Sequence, residues 1–222
     1  MNMKRLFCVF VMCMSILAVN AQVVEKTFAD LKNEGNAAIK IKDYPKALDL
    51  YEQALVKLGS EPIKDTSMIY NMGICAISSK NYDKAVKYFD QTIAMNYKKV
   101  NSLLYEAEVY RLTKKDAEQL KTLETALSIS PEDPKVKSKL ASYYVKGANE
   151  FYAKGSAIIT KANGEITAGK LKTSDEPYKQ AEKQAVDEFK KALPLIDKAL
   201  GYDANNATAK QLKSACIQAI KG

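Results

Sequence analysis

The sequence predicts an all-α solenoid of about four helical hairpins, the last of them elongated, plus a C-terminal capping helix. Three observations carry that expectation: a spacing of small and aromatic residues recurs, apolar residues keep a helical period between recurrences, and cap residues stand where those periods begin. The composition suits a folded chain, with 222 residues, 47% hydrophobic and 27% charged, and only nine glycines and six prolines. Histidine is absent. That removes the Ser-His-Asp triad, the Cys-His dyad, the HExxH zinc site and the usual general base near neutral pH. The expectation is a chain with no catalytic residues, no cofactor and no metal, hence not an enzyme.

Residues 1–21 read as an export signal. Lys4 and Arg5 precede the apolar stretch Leu6 to Val19, and Val19-Asn20-Ala21 places small residues ahead of a cut after Ala21. The stretch is shorter than the ~20 residues a membrane span needs. Cleavage would leave residues 22–222 as one domain with net charge +6, exported and periplasmic. It would remove Cys8 and Cys13 and leave Cys75 and Cys216. Arg111 is then the only arginine, and a surface of lysines lacks the guanidinium forks that read base edges, so no nucleic-acid partner is expected. Membrane contact is at most peripheral, through the lysines.

Gly35, Tyr44, Ala47 and Tyr51 open the pattern, and Gly73, Tyr82, Ala85 and Phe89 repeat it. In both, the glycine precedes the tyrosine by nine residues, the alanine by twelve and the second aromatic by sixteen. Small residues allow two antiparallel helices to approach, and large apolar ones fill the space around the contact. Asp43-Tyr44-Pro45 starts a second helix, Asn81 is expected to cap the helix bearing Asp83, and Asp133-Pro134 starts another. Gly59 and Gly201 are expected as left-handed C-caps.

These residues resemble the tetratricopeptide repeat (TPR) family, whose unit is about 34 residues. On that frame repeats fall near 28–61, 66–99, 100–133 and 134–206, with a terminal helix over 207–221. The third departs from the pattern, with Asp116 and Gln119 where an aromatic and an alanine are usual. The fourth carries a long insertion. Its apolar stripe through Phe151 and Ile158 predicts lengthened helices, with a tip loop from Asn163-Gly164-Glu165 to Ser174-Asp175 and Pro177 in the returning first turn. Ala185, Phe189 and Ala192, and again Ala192, Ile196 and Ala199, match the second-helix signature, so one long helix satisfies both registers. Pro194 is expected to kink it.

The resemblance implies a right-handed superhelical solenoid whose first helices line a concave surface. The residues so placed are Lys32, Asn36 and Ile39, then Tyr70, Ile74 and Ile77, then Leu104, Glu108 and Arg111, and last Ser138, Ser142 and Val145. Such a strip suits a protein or peptide partner, with Arg111 free to grip a carboxylate. The alternative is that Ile74, Ile77 and Leu104 only pack between repeats. Chaperone-binding members of the family hold a C-terminal carboxylate with a set of lysines, asparagines and arginine. Lys32, Asn36 and Asn71 match that set and Asn101 and Tyr105 do not, so Asn36 and Asn71 remain as a ladder for a peptide backbone. Glu106 and Glu108 read as a solvated acidic pair.

The function expected is a non-catalytic scaffold or adaptor binding a segment of an envelope protein. The alternative is a self-associating homo-oligomer joined through the hairpin around Phe151, Ile158, Ile159 and Tyr178. Cys75 and Cys216 lie about 20–30 Å apart on the repeat frame, beyond disulfide reach, and are expected as two free, buried thiols.

Overall fold

Each glycine of the recurring motif is small because an aromatic ring occupies the place of its side chain. A Cβ on Gly35 would stand 2.6 Å from the Tyr51 ring, and one on Gly73 would stand 2.7 Å from the Phe89 ring. These contacts close the first two hairpins of a computed structural model that describes residues 25–221 except 60 and 63. The expected export segment, with Cys8 and Cys13, lies outside the described residues.

Among the described residues the chain forms nine helices and no strand. Four hairpins pair α1 (Phe28–Lys40) with α2 (Tyr44–Leu58), α3 (Thr66–Ser78) with α4 (Tyr82–Ala94), α5 (Lys99–Leu112) with α6 (Asp116–Ile129), and α7 (Pro134–Thr167) with α8 (Glu176–Tyr202). A ninth helix, α9 (Ala207–Lys221), packs on the last hairpin. The architecture is an all-α solenoid in which each helix packs mainly on its neighbours in sequence. No described helix is long and apolar enough to cross a membrane.

The third hairpin puts Ala107 and Leu123 at the positions of the glycine and the ring, and the start of the fourth puts Ala141 and Ile196 there; all four are buried. A one-carbon increase on one helix is matched by a smaller partner on the other. Farther along the fourth hairpin the first arrangement returns, with Gly155 under Phe189 (2.7 Å) and the Ala185 carbonyl (2.9 Å). Ala185, Phe189, Ala192, Ile196 and Ala199 are all buried on α8, so both registers are used by one helix. That helix runs without interruption through Pro194.

The first three hairpin turns share one device. Lys42, Lys80 and Lys114 take a left-handed backbone (φ 61°, 58° and 58°). The next residue's N–H reaches back across the turn, Asp43 to Ala38 O (2.9 Å), Asn81 to Ala76 O (2.8 Å) and Lys115 to Tyr110 O (2.8 Å). This satisfies carbonyls that the ending helix would leave bare. Asp43 and Asp133 cap α2 and α7 as expected.

Several expectations need correction. Asn81 starts α4 without a side-chain cap bond. Gly201 lies inside α8 with no positive φ, and the C-cap is Asp203. Gly59 does take a positive φ of 59°. The tip loop is shorter than expected, because Asn163, Gly164 and Glu165 belong to α7; the left-handed residue is Gly169 (φ 70°). The helix continues past Gly164, with Ala162 buried just before it and Glu165 and Ile166 half-buried just after it, against a glycine's cost of about 1 kcal/mol.

Two hydrophobic cores meet at the α4/α5 junction, one built on the first two hairpins and one on the rest. The seam is polar. Thr92 and Ser102 hydroxyls share a buried 2.8 Å hydrogen bond, and Glu106 is 7% exposed, not solvated as its sequence neighbourhood implied. Burial pushes the Glu106 carboxyl above its ordinary 4.5, and the nearby Asp90 carboxylate adds to the rise, against a hydrogen bond with Tyr110. A carboxyl whose folded pKa is raised favours the folded state below 4.5, and that advantage is lost as pH climbs through the raised value.

Three outcomes follow for stability. Gly73→Ala should cost about 1–3 kcal/mol by overpacking despite alanine's helix propensity, and Phe89→Leu in the same chain should recover much of it. Gly164→Ala, whose Cβ meets nothing within 4 Å, should stabilise by about 0.5–1 kcal/mol. Urea titrations check all three. Glu106→Gln should raise Tm by a few degrees at pH 7 and change it little at pH 4; an equal gain at both would show that Glu106 is not charged in the fold.

Candidate functional site

The first helices of the solenoid present the residues the repeat frame assigned to the concave face, and the structure separates them into two groups. The first group is internally satisfied. Lys32 on α1 pairs with Asp65, which also caps α3 by accepting from Met68 N (3.0 Å). Burial raises the Asp65 carboxyl, but the Lys32, Ser67 and Met68 hydrogen bonds together hold it below the ordinary carboxylate value. Asn36 Oδ1 accepts from the buried Tyr51 hydroxyl (2.7 Å), and Asn71 of α3 lies near the same hydroxyl. Burial, the larger influence, pushes that phenol up to about 12. The Asn36–Tyr51 bond therefore ties α1 to α2 within the first hairpin. Ile39, Ile74 and Ile77 are half-buried against the first core.

The second group opens a cleft. Tyr70, Leu104 and Glu108 line a cavity of about 480 Å³ together with Asn101 and Tyr105 of α5 and Pro134, Lys135, Ser138 and Lys139 of α7. Tyr70 is buried in an aromatic cluster, edge-on to Phe89, Tyr97 and Tyr105 with ring centroids about 6 Å apart. Tyr105 stacks on Phe89 at 5.3 Å and remains 37% exposed. The Lys98 ammonium sits 4.7 Å above the Tyr70 ring, a cation–π contact. The cleft thus has an aromatic floor and cationic margins.

Arg111 is not free. Its Nε and Nη2 donate to both Glu108 oxygens (3.0 and 2.6 Å), and Lys139 Nζ donates to Glu108 Oε2 (3.0 Å) from the next hairpin. The Arg111 hydrogen bonds are the main reason the Glu108 carboxyl lies below its ordinary value. The expected grip of Arg111 on a carboxylate is present, but the carboxylate belongs to this chain. Helical spacing of three residues permits the pair, yet sequence alone does not choose between it and a bond to a partner.

Sequence reasoning missed Lys135 and Lys139 as part of the site. They stand one turn apart on α7, on the face that also carries Ser138. Tyr105 enters the sequence reading only as a departure from the carboxylate-holding set, although its ring lines the cleft and stays partly exposed. Ser142 and Val145 lie farther along α7, the first exposed and the second half-buried. Cys75 and Cys216 are buried and unpaired, and burial pushes the Cys75 thiol up to about 11, which keeps it protonated. Among the described residues no group of three or more histidine, cysteine, aspartate or glutamate side chains is placed to hold a metal ion.

No family model matches the chain, and no curated protein matches it. Among solved structures it is similar to a TPR repeats protein from Bacteroides fragilis, with 24% identity, a TM-score of 0.50, and coverage of 86% of this chain and 98% of that one. It is also similar to a protein from Bacteroides ovatus whose suggested role is protein binding, with 15% identity, a TM-score of 0.52, and coverage of 88% and 98%. The chain has the tetratricopeptide fold. In this tetratricopeptide solenoid the small-residue contacts within each hairpin set the helix spacing, and the cleft is what the first helices leave open between the second and fourth hairpins.

The asparagine arrangement gives a direct check. Asn36→Ala removes the acceptor of the buried Tyr51 hydroxyl and should destabilise the first hairpin by about 1 kcal/mol, read as earlier urea unfolding; an unchanged midpoint would release Asn36 from that structural role.

Proposed function

We propose that this protein is an exported, non-catalytic scaffold that holds a peptide segment of an envelope protein in the cleft between α3, α5 and α7. The observation that carries the reading is the cleft itself, about 480 Å³, with the exposed Tyr105 ring at its floor and lysines at its rim. A polypeptide offers what such a surface takes: apolar side chains for the aromatic floor, and backbone and acidic groups for the polar margins. Export is read from the pattern of residues 1–21 and supports an envelope partner. Phe151, Ile158 and Ile159 pack partly on the second core, and Tyr178 bonds Asn163 at 3.1 Å, so the elongated hairpin spends much of its apolar stripe on itself. That leaves the cleft as the better supported contact.

The test is photocrosslinking in envelope extract of the source organism, with a photoreactive phenylalanine analogue at Tyr105 or, as control, at the exposed Val56. A discrete adduct is expected from position 105 only. Ser138→Trp, which fills the cleft from α7, should reduce it by about tenfold, the equivalent of about 1.4 kcal/mol. Equal adducts from Val56, or full labelling in the Ser138→Trp chain, would contradict the assignment.

A further inference from the structure

The third hairpin leaves the repeat pattern at the first turn of α6. Asp116 stands there in the place that Tyr44 holds on α2 and Tyr82 holds on α4. Those two tyrosines are half-buried and pack on the first core, whereas Asp116 is exposed and has no ring to contribute. Beside it a hollow of about 310 Å³ opens between α6, α7 and α8. Its size falls at the lower end of the ~300–1,000 Å³ usual for ligand pockets.

A second feature of the hollow points to the same missing group. Gly147 of α7 lines it, and among the described residues a Cβ there would meet only Leu195 Cδ1, at 3.3 Å. Gly35, Gly73 and Gly155 each lie under a ring of this chain. Gly147 is half-buried like an interhelical glycine but has no such ring on it. The walls suit an aromatic group as well. Leu120 and Leu195 are half-buried aliphatic neighbours, and Tyr143 and Tyr144 meet edge to face at 5.4 Å, an arrangement that a further ring can extend.

The rim selects against a charged occupant. Lys146 holds Asp116 at 2.7 Å and lies 4.0 Å from Glu150, and the Lys198 ammonium sits 5.2 Å from the centre of the Tyr144 ring. These two cations and two acids leave the hollow without net charge. An ionised side chain would lose hydration there for little return, whereas a flat, uncharged ring would bury its area against the leucines.

We propose that this hollow receives an aromatic side chain of a partner polypeptide, seated beside Gly147 in the space left by the missing ring at position 116. The contact goes beyond the groove reading, because the hollow shares no lining residue with the cleft at Tyr105. It gives the solenoid a second point of attachment, on the far side of α7's first turns.

The experiment is methyl NMR of the mature chain, residues 22–222, titrated with two ten-residue Gly-Ser peptides, one carrying a central tyrosine and the other a central leucine. The tyrosine peptide should move the Leu120 and Leu195 methyl resonances upfield and bind at least fivefold more tightly than the leucine peptide. Asp116→Tyr, which restores the repeat's own ring, should shift the same methyls upfield in the free chain and weaken the tyrosine peptide at least tenfold. Asp116→Asn, which removes the charge and adds no ring, should stay within twofold of the parent. So should Ser138→Trp, which fills the other cleft.

Equal affinity for the two peptides overturns the proposal, as does a tyrosine peptide that leaves the Leu120 and Leu195 methyls in place. Full binding by a folded Asp116→Tyr chain does the same. Binding of p-cresol without binding of the tyrosine peptide would make the hollow a small-molecule site and also overturns it. Any of these results with intact crosslinking at Tyr105 removes the aromatic socket and leaves the scaffold; loss of the Tyr105 adduct alone removes the groove reading instead.

Discussion

The structure depends on a ring lying where a side chain is missing. Tyr51 on Gly35, Phe89 on Gly73 and Phe189 on Gly155 bring paired helices close enough that the adjacent alanines bury completely. Where the first partner is alanine, the second shrinks to leucine or isoleucine, as in Ala107 with Leu123 and Ala141 with Ile196. The sum of the two side chains is held roughly constant while either varies. Close-packed interiors enforce this, because one added carbon must displace a neighbour. Helix spacing inside each hairpin then fixes where the first helices face, and through them the cleft.

Between hairpins the contacts are of a different kind. Lys32 pairs with Asp65 at the start of α3, Glu52 receives Lys84 and the Tyr88 hydroxyl, and Glu108 receives Lys139. Polar bonds of this type set register more than they add stability. At the α4/α5 junction the buried Thr92–Ser102 bond lies beside apolar contacts, with Tyr105 stacked on Phe89 and Val109 of α5 buried in the first core. The candidate binding cleft lies beside this seam.

The hairpins were legible in the sequence because glycine, tyrosine and alanine spacings report a packing rule that acts within one hairpin. The elongated fourth hairpin was legible for the same reason, since Ala185, Phe189 and Ala192 repeat the rule on a longer helix. What was not legible depends on long-range competition. Gly164 and Gly201 look like helix ends but stay inside helices, because burial of neighbouring residues outweighs local preference. Lysines rather than glycines hold the left-handed turn positions at Lys42, Lys80 and Lys114. Of the groove residues, Tyr70, Leu104 and Glu108 come together as the repeat frame places them. Lys32 and Arg111 find acids within the chain, Asp65 and Glu108, and a string of letters does not say which carboxylate a cation will choose.

The most direct check of the packing rule is the proton–carbon NMR spectrum of the glycines. A proton on Gly35, Gly73 or Gly155 that lies against an aromatic face is shifted upfield by the ring, and the two α-protons of each glycine should separate widely. Gly164 and Gly201, which have open space where a Cβ would be, should show ordinary, nearly equivalent shifts. Random-coil shifts at Gly35, Gly73 and Gly155 would contradict the account, because the rings would then not be seated on the glycines.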